Sequence, residues 1–162
     1  MRTQTRALVA VAVSCALLAG GARALSAQLP KDACAEVTQA QVAAALGMPV
    51  HEGQSLNSLN TACSWAATSP SKARLTVQFM VADSYDKLKS ERMPSVEKRP
   101  VAGIGDDAFS QAIPFSSTVP KMMTLFVRKG RNMIVLRTYG VLDAAKQLSA
   151  EKAVARAIVG RL

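Results

Sequence analysis

Histidine is almost missing from this chain of 162 residues: His51 is the single one. It follows Pro49 in a polar stretch, which suits a solvated surface residue better than a catalytic or metal-bound one. No Gly-x-Ser-x-Gly elbow is present to expose a nucleophilic serine for a Ser-His-Asp arrangement. The cysteines lack the paired spacings and accompanying histidines of a metal centre. No catalytic residues, no metal and no cofactor are therefore expected. Aromatic residues make up only 4% of the chain. None of them alternates with its basic residues, so single-stranded nucleic acid finds no stacking platform here.

Long apolar runs are also scarce, with one exception at the N-terminus. Arg2 and Arg6 precede an apolar run from Ala7 to Ala19, and small residues follow. That order is the signature of a secretory signal. The run is too short for a retained spanning helix, which needs about 20 residues. Cleavage is expected after Ala27, with Ala24 as the alternative, so residues 1–27 read as a signal peptide and 28–162 as one small domain. Removal of Arg2, Arg6 and Arg23 takes three of the 20 basic residues and none of the 11 acidic ones, leaving 17 against 11, a charge of +6. No transmembrane helix is expected in the processed chain, whose place is the periplasm or the extracellular space.

Cys15 lies inside the signal, in Ala12-Val13-Ser14-Cys15. It is a poor lipid-attachment site, because the apolar run continues through Leu17 and Leu18 where a polar tether is usual. Cys34 and Cys63 remain. An even pair in an oxidising compartment is most simply a disulfide. Two free thiols or half a metal site are the alternatives, and neither has supporting ligands nearby.

Thr38-Gln39-Ala40-Gln41 is a capping-box pattern that opens a helix over 39–46, closed by Gly47 and blocked by Pro49. Residues 51–60 read as a polar loop. Leu75, Val77, Phe79 and Val81 alternate with Arg74, Thr76, Gln78 and Met80, which predicts a strand with one buried face over 73–82. Ala62 to Thr68 is its partner across Ser69-Pro70-Ser71-Lys72. Asp83 and Ser84 are placed to cap a short helix over 85–92. The stretch from Met93 to Gly105 reads as loop and 106–112 as a strand, with Ser116 to Pro120 as a connector. Lys121–Arg128 and Asn132–Tyr139 form the clearest hairpin, joined by Lys129-Gly130-Arg131. A helix is expected from Asp143 to the C-terminus, broken near Ser149, burying Leu148, Ala155, Ile158 and Leu162. Adjacent antiparallel strands with segregated helices define an α+β class: an antiparallel sheet with helices packed on it.

Several spots resemble functional motifs. Gly103-Ile104-Gly105-Asp106-Asp107-Ala108 lacks the strand before and helix after that a dinucleotide loop requires, and its aspartates would repel phosphate. It reads as a tight turn into a strand, with Gly103 and Gly105 structural and the aspartates in capping or turn roles. Met80, Met93, Met122, Met123 and Met133 are scattered and read as core filling. Trp65 shares a strand face with Cys63, so its indole can pack over the sulfur, a structural role shared with Gly47 as helix stop. Arg128, Lys129, Arg131 and Arg137 gather around the late hairpin and offer contacts to an anionic partner.

Asp32-Ala33-Cys34, Val37-Thr38 leading to Gly47, Cys63-Ser64-Trp65 and Gly103-Ile104-Gly105-Asp106-Asp107-Ala108 occur in that order. The chain thereby resembles a family of small secreted domains and lipoproteins of unknown function, best known from actinobacteria. It is similar also to the extracytoplasmic sensor domains of mycobacterial serine/threonine kinases. The resemblance runs from about Cys34 to Leu162. It implies a Cys34–Cys63 disulfide, a compact α/β sandwich and no known catalytic activity. Many relatives carry a clear lipoprotein cysteine, where this chain has only Cys15. The expectation is an exported, non-catalytic binding or sensor-like module whose partner is an envelope protein or a small ligand, with no nucleic acid involved. A small periplasmic hydrolase using a serine and His51, or a structural or stress-related envelope protein, are the rival classes.

Overall fold

The structure, a computed structural model, describes residues 29–68, 72–113, 122–140 and 143–162. The expected signal, Cys15, residues 69–71 of the first turn and the 116–120 connector lie outside the described residues. Elements follow the order α1 (Gln39–Leu46), β1 (Gln54–Ser55), β2 (Ala62–Ala66), β3 (Arg74–Val81), a 3-10 turn (Ala82–Ser84), α2 (Tyr85–Ser90), β4 (Glu97–Pro100), β5 (Asp107–Ile113), β6 (Met122–Lys129), β7 (Asn132–Tyr139) and α3 (Ala144–Val159). All seven strands join one antiparallel sheet in the order β1-β2-β3-β7-β6-β5-β4. The fold is α+β.

Local signals explain most of these elements. At α1, the Thr38 hydroxyl accepts from the Gln41 amide at 3.2 Å, and Gln41 Oε1 accepts from the Thr38 amide at 2.9 Å. Gly47 ends the helix at φ 68°, a left-handed conformation that glycine adopts without a Cβ penalty. Asp143 caps α3 by accepting from the amides of Ala145 at 2.7 Å and Lys146 at 3.1 Å. These bonds hold its carboxyl below the usual range. At α2, Ser84 occupies the capping position but makes no side-chain cap bond, because a 3-10 turn already leads the chain into the helix.

Several expectations need correction. Helix α3 runs unbroken through Ser149, which sits on its exposed side among good helix formers. Its buried stripe is Gln147, Ala150, Glu151, Val154, Ala155 and Ile158; Leu162, beyond the helix end, is exposed. Residues 97–100, read as loop, form β4, and residues 54–55 form β1. Both are edge strands with polar sequences that carry no alternation, and an edge tolerates Pro100. Met133 and Met123 are core residues, but Met80 and Met93 are each 36% exposed, one on the outward face near the end of β3 and one in the loop after α2.

Helix α3 packs on β6 and β7 and against α1. This layer buries Cys63, Trp65, Leu75, Val77, Phe79, Leu125, Val127, Ile134 and Leu136 with Val42, Val154 and Ile158. The opposite face carries a smaller cluster of Tyr85, Phe109, Phe126, Met133 and Val135, flanked by Ala82 and Leu88. Phe109 stacks on Phe126 at 4.7 Å, and Tyr85 meets Phe109 edge-on at 5.5 Å. Strands β6 and β7 are thus apolar on both faces over part of their length, which is why they read as near-continuous apolar runs rather than as alternation.

The two glycines that lead into β5 are not equivalent. Both have left-handed φ, 75° at Gly103 and 64° at Gly105. A Cβ on Gly103 would meet open space, whereas one on Gly105 would collide with the Arg128 carbonyl oxygen and lie 2.7 Å from Val127 Cγ1. Gly103→Ala is expected to cost about 1 kcal/mol for the left-handed backbone alone. Gly105→Ala adds overpacking and is expected to cost about 2 kcal/mol. Urea unfolding of the two variants checks the ranking; equal midpoints would remove the clash from the account.

Candidate ligand-binding face

Cys34 and Cys63 form a disulfide, with Cα atoms 5.1 Å apart and a sequence separation of 29. It ties the segment before α1 to β2 beside the buried Trp65. Gly53 closes over this pair: a Cβ there would lie 2.6 Å from Trp65 Nε1 and 2.7 Å from Cys63 Sγ. Glycine is required at that point because the backbone rests directly on the indole and the sulfur.

The aspartates after Gly105 serve the neighbouring hairpin. Asp106 accepts from the Gly130 amide at 2.6 Å and from Lys129 Nζ at 3.0 Å. Those two bonds lower its pKa. Asp107 accepts from Lys89 Nζ at 2.6 Å, a bond that lowers its pKa too, and lies 3.8 Å from Arg128. Arg128 also meets Asp86 at 3.0 Å and lies 4.9 Å from the Tyr85 ring centre. Burial, reinforced by Asp107, pushes the Tyr85 phenol upward.

The four basic residues of the late hairpin are therefore in different situations. Arg128 and Lys129 are matched by acids of the same end of the sheet, and Arg131 is exposed beside Gly130 at the turn. Arg137 lies two rows down the sheet from Arg128, with Phe126 and Val135 in the row between. Four residues of strand separate those rows, about 13 Å. The fold does not bring Arg137 together with the others.

Arg137 belongs instead to a polar row across the face opposite α3. Register places Ser64, Thr76, Arg137, Thr124 and Gln111 side by side on five adjacent strands. Directly opposite strand partners share a face, so this row follows from pairing alone. Within it Arg137 Nη1 donates a long hydrogen bond, 3.5 Å, to Gln78 Oε1. One row further, Arg74 stands opposite Tyr139.

Around Arg74 the face opens into a groove of about 570 Å³, lined by Leu56, Ala66, Lys72, Arg74, Thr76 and Tyr139. A smaller recess adjoins it, sharing Leu56, Ala66 and Arg74 and adding His51, Glu52, Gln54 and Ser64. His51 is exposed there, as the sequence suggested. Among the described residues, neither Arg74 nor Arg137 takes part in an ion pair. One end of the groove is set by backbone contact: a Cβ on Gly140 would run into the carbonyl of Lys72, so glycine (φ 70°) is needed where β7 ends. Among the described residues, no three of His, Cys, Asp and Glu come together as a metal site, and no helix is long and apolar enough to cross a membrane.

Sequence reading did not single out Arg74, Tyr139, Leu56 or Thr76. Arg74 and Thr76 had appeared only as the outward half of an alternating strand. The available signal was weak: an arginine on a strand whose neighbouring turn is also basic. Glu151 was missed as well. It is fully buried on α3, and neither carboxyl oxygen has a well-formed hydrogen bond. Burial raises its pKa well above the usual range, offset in part by Thr138 and Arg137.

Searches of known protein families, of curated proteins and of solved structures find no match to this chain.

Proposed function

We propose that this chain is an exported, non-catalytic binding module that holds a small ligand or an envelope partner. The observation that carries the reading is the mismatch of charge along the face of the sheet opposite α3. Cations at the Arg128 end are neutralised by Asp86, Asp106 and Asp107, whereas neither Arg74 nor Arg137 takes part in an ion pair among the described residues. Unmatched cations beside a groove of this size suit recognition of something that supplies the missing negative charge. The Cys34–Cys63 disulfide suits a non-reducing compartment, in keeping with removal of residues 1–27 on export. Kinship with the actinobacterial secreted domains and kinase sensor domains is part of the same proposal.

The test is the mass of the protein recovered from its own host, measured native and then denatured without reductant. The expected native spectrum carries a reproducible added mass that denaturation releases. The expected denatured mass is that of residues 28–162 less two hydrogens, with no lipid. Equal native and denatured masses, together with no reproducible cross-linked partner in the native envelope, would end the binding-module reading. A retained N-terminus or an acylated Cys15 would overturn the export scheme.

A further inference from the structure

We propose that the groove beside Arg74 binds a small amphipathic carboxylate, its head group on Arg74 and its hydrocarbon over Leu56, Ala66 and the Tyr139 ring. This rests on the binding-module reading and names the ligand class and the site.

Charge balance supplies the first reason. The groove and its adjoining recess contain two cations, Lys72 and Arg74, and one acid, Glu52. Two cations against one acid leave an excess of one positive charge, which a monoanion matches. An arginine with no acidic partner presents the planar fork that a carboxylate takes bidentately.

The apolar surroundings supply the second. Leu56 is 54% exposed, and only Leu59 among the described large hydrophobic residues is more exposed. Leu56 lines the same groove as Ala66, Tyr139 and Arg74. A purely polar anion such as phosphate would leave that apolar wall in water, whereas a short acyl chain covers it. The volume of about 570 Å³ accommodates such a ligand, being within the ordinary range for small-molecule sites.

The walls are also fixed in place. Tyr139 and Arg74 are direct strand partners, Thr76 is held between β2 and β7, and Gly140 packs against the backbone of Lys72. A site built on paired strands requires little ordering when the ligand arrives.

Octanoate, octanol and inorganic phosphate are titrated into the isotope-labelled purified protein, following amide and side-chain resonances. Octanoate is expected to give saturable shifts centred on Ala66, Arg74 and Tyr139, with octanol and phosphate binding at least tenfold more weakly. Arg74→Gln is expected to weaken octanoate at least tenfold, and Leu56→Asp at least as much, while Arg131→Gln leaves it unchanged. Both groove positions are exposed, and the dispersion of each variant's spectrum confirms its fold. No saturable octanoate shift, equal binding of octanol or phosphate, or unchanged affinity in both folded groove variants overturns the proposal. A host-derived mass or cross-linked partner that persists in those variants would defeat this site while leaving the binding-module reading standing.

Discussion

Replacing Cys34 and Cys63 together by alanine is expected to lower the unfolding free energy by about 3 to 4 kcal/mol through the disulfide alone. The bridge closes a span of 29 residues containing α1 and β1, so its loss frees the unfolded chain over a long loop. A packing loss adds to this. Cys63 is fully buried beside Trp65, and truncation to alanine removes the sulfur over which Gly53 closes. Since small domains have only about 5 to 15 kcal/mol in total, the variant should unfold at far lower urea concentration. Adding reductant to the wild type should reproduce the chain-entropy part but not the packing part. The two urea midpoints measure the split, and a variant as stable as the oxidised wild type would refute the argument.

Glu151→Leu is expected to act in the opposite direction, raising stability at pH 8 by up to about 4 kcal/mol. The carboxyl sits between α3 and the sheet with no well-formed hydrogen bond to either oxygen. Thr138 and Arg137 compensate only part of its burial. Leucine fills similar space and removes the desolvated group. The pH dependence follows from the raised pKa. Below the ordinary glutamate value of 4.5 the carboxyl is protonated in both folded and unfolded chains and contributes no slope. Above it the unfolded chain gives up the proton while the folded chain keeps it. Folding stability therefore falls as pH rises, by about 1.4 kcal/mol per unit, until the raised folded-state pKa is passed. The advantage of the leucine variant should accordingly be smallest near pH 4 and grow toward pH 8. Chemical unfolding of both proteins across that range checks it. A constant difference would mean that Glu151 is ionised in the fold.

The capping box at Thr38, the stop at Gly47, the alternation in β3 and the turn at Gly130 are written in residues a few positions apart. They were legible because local backbone chemistry decides them. Strands β1 and β4 were not legible, since an edge strand made of polar residues owes its conformation to the strand beside it. The reading of Met80 as core failed for a related reason. Alternation tells which residues share a face, and only the packing of α2 and α3 tells how much of each face is covered.

Charge divides in the same way. The sequence shows Arg128, Lys129, Arg131 and Arg137 close together in the chain, and so presents them as one basic cluster. Pairing with Asp86, Asp106 and Asp107 neutralises the first two and leaves Arg137 in another row. The groove exists because β7 returns beside β3, setting Tyr139 against Arg74, and because β2 brings Ala66 and the following loop against them. Helix caps, turns, strand faces and the availability of a cysteine pair were determined by the sequence alone, because each depends on neighbours in the chain. Which cations stay unmatched, which carboxyl is sealed in the core and where a groove forms were decided only by tertiary structure. Each depends on the charge and cover supplied by strands and helices distant in sequence.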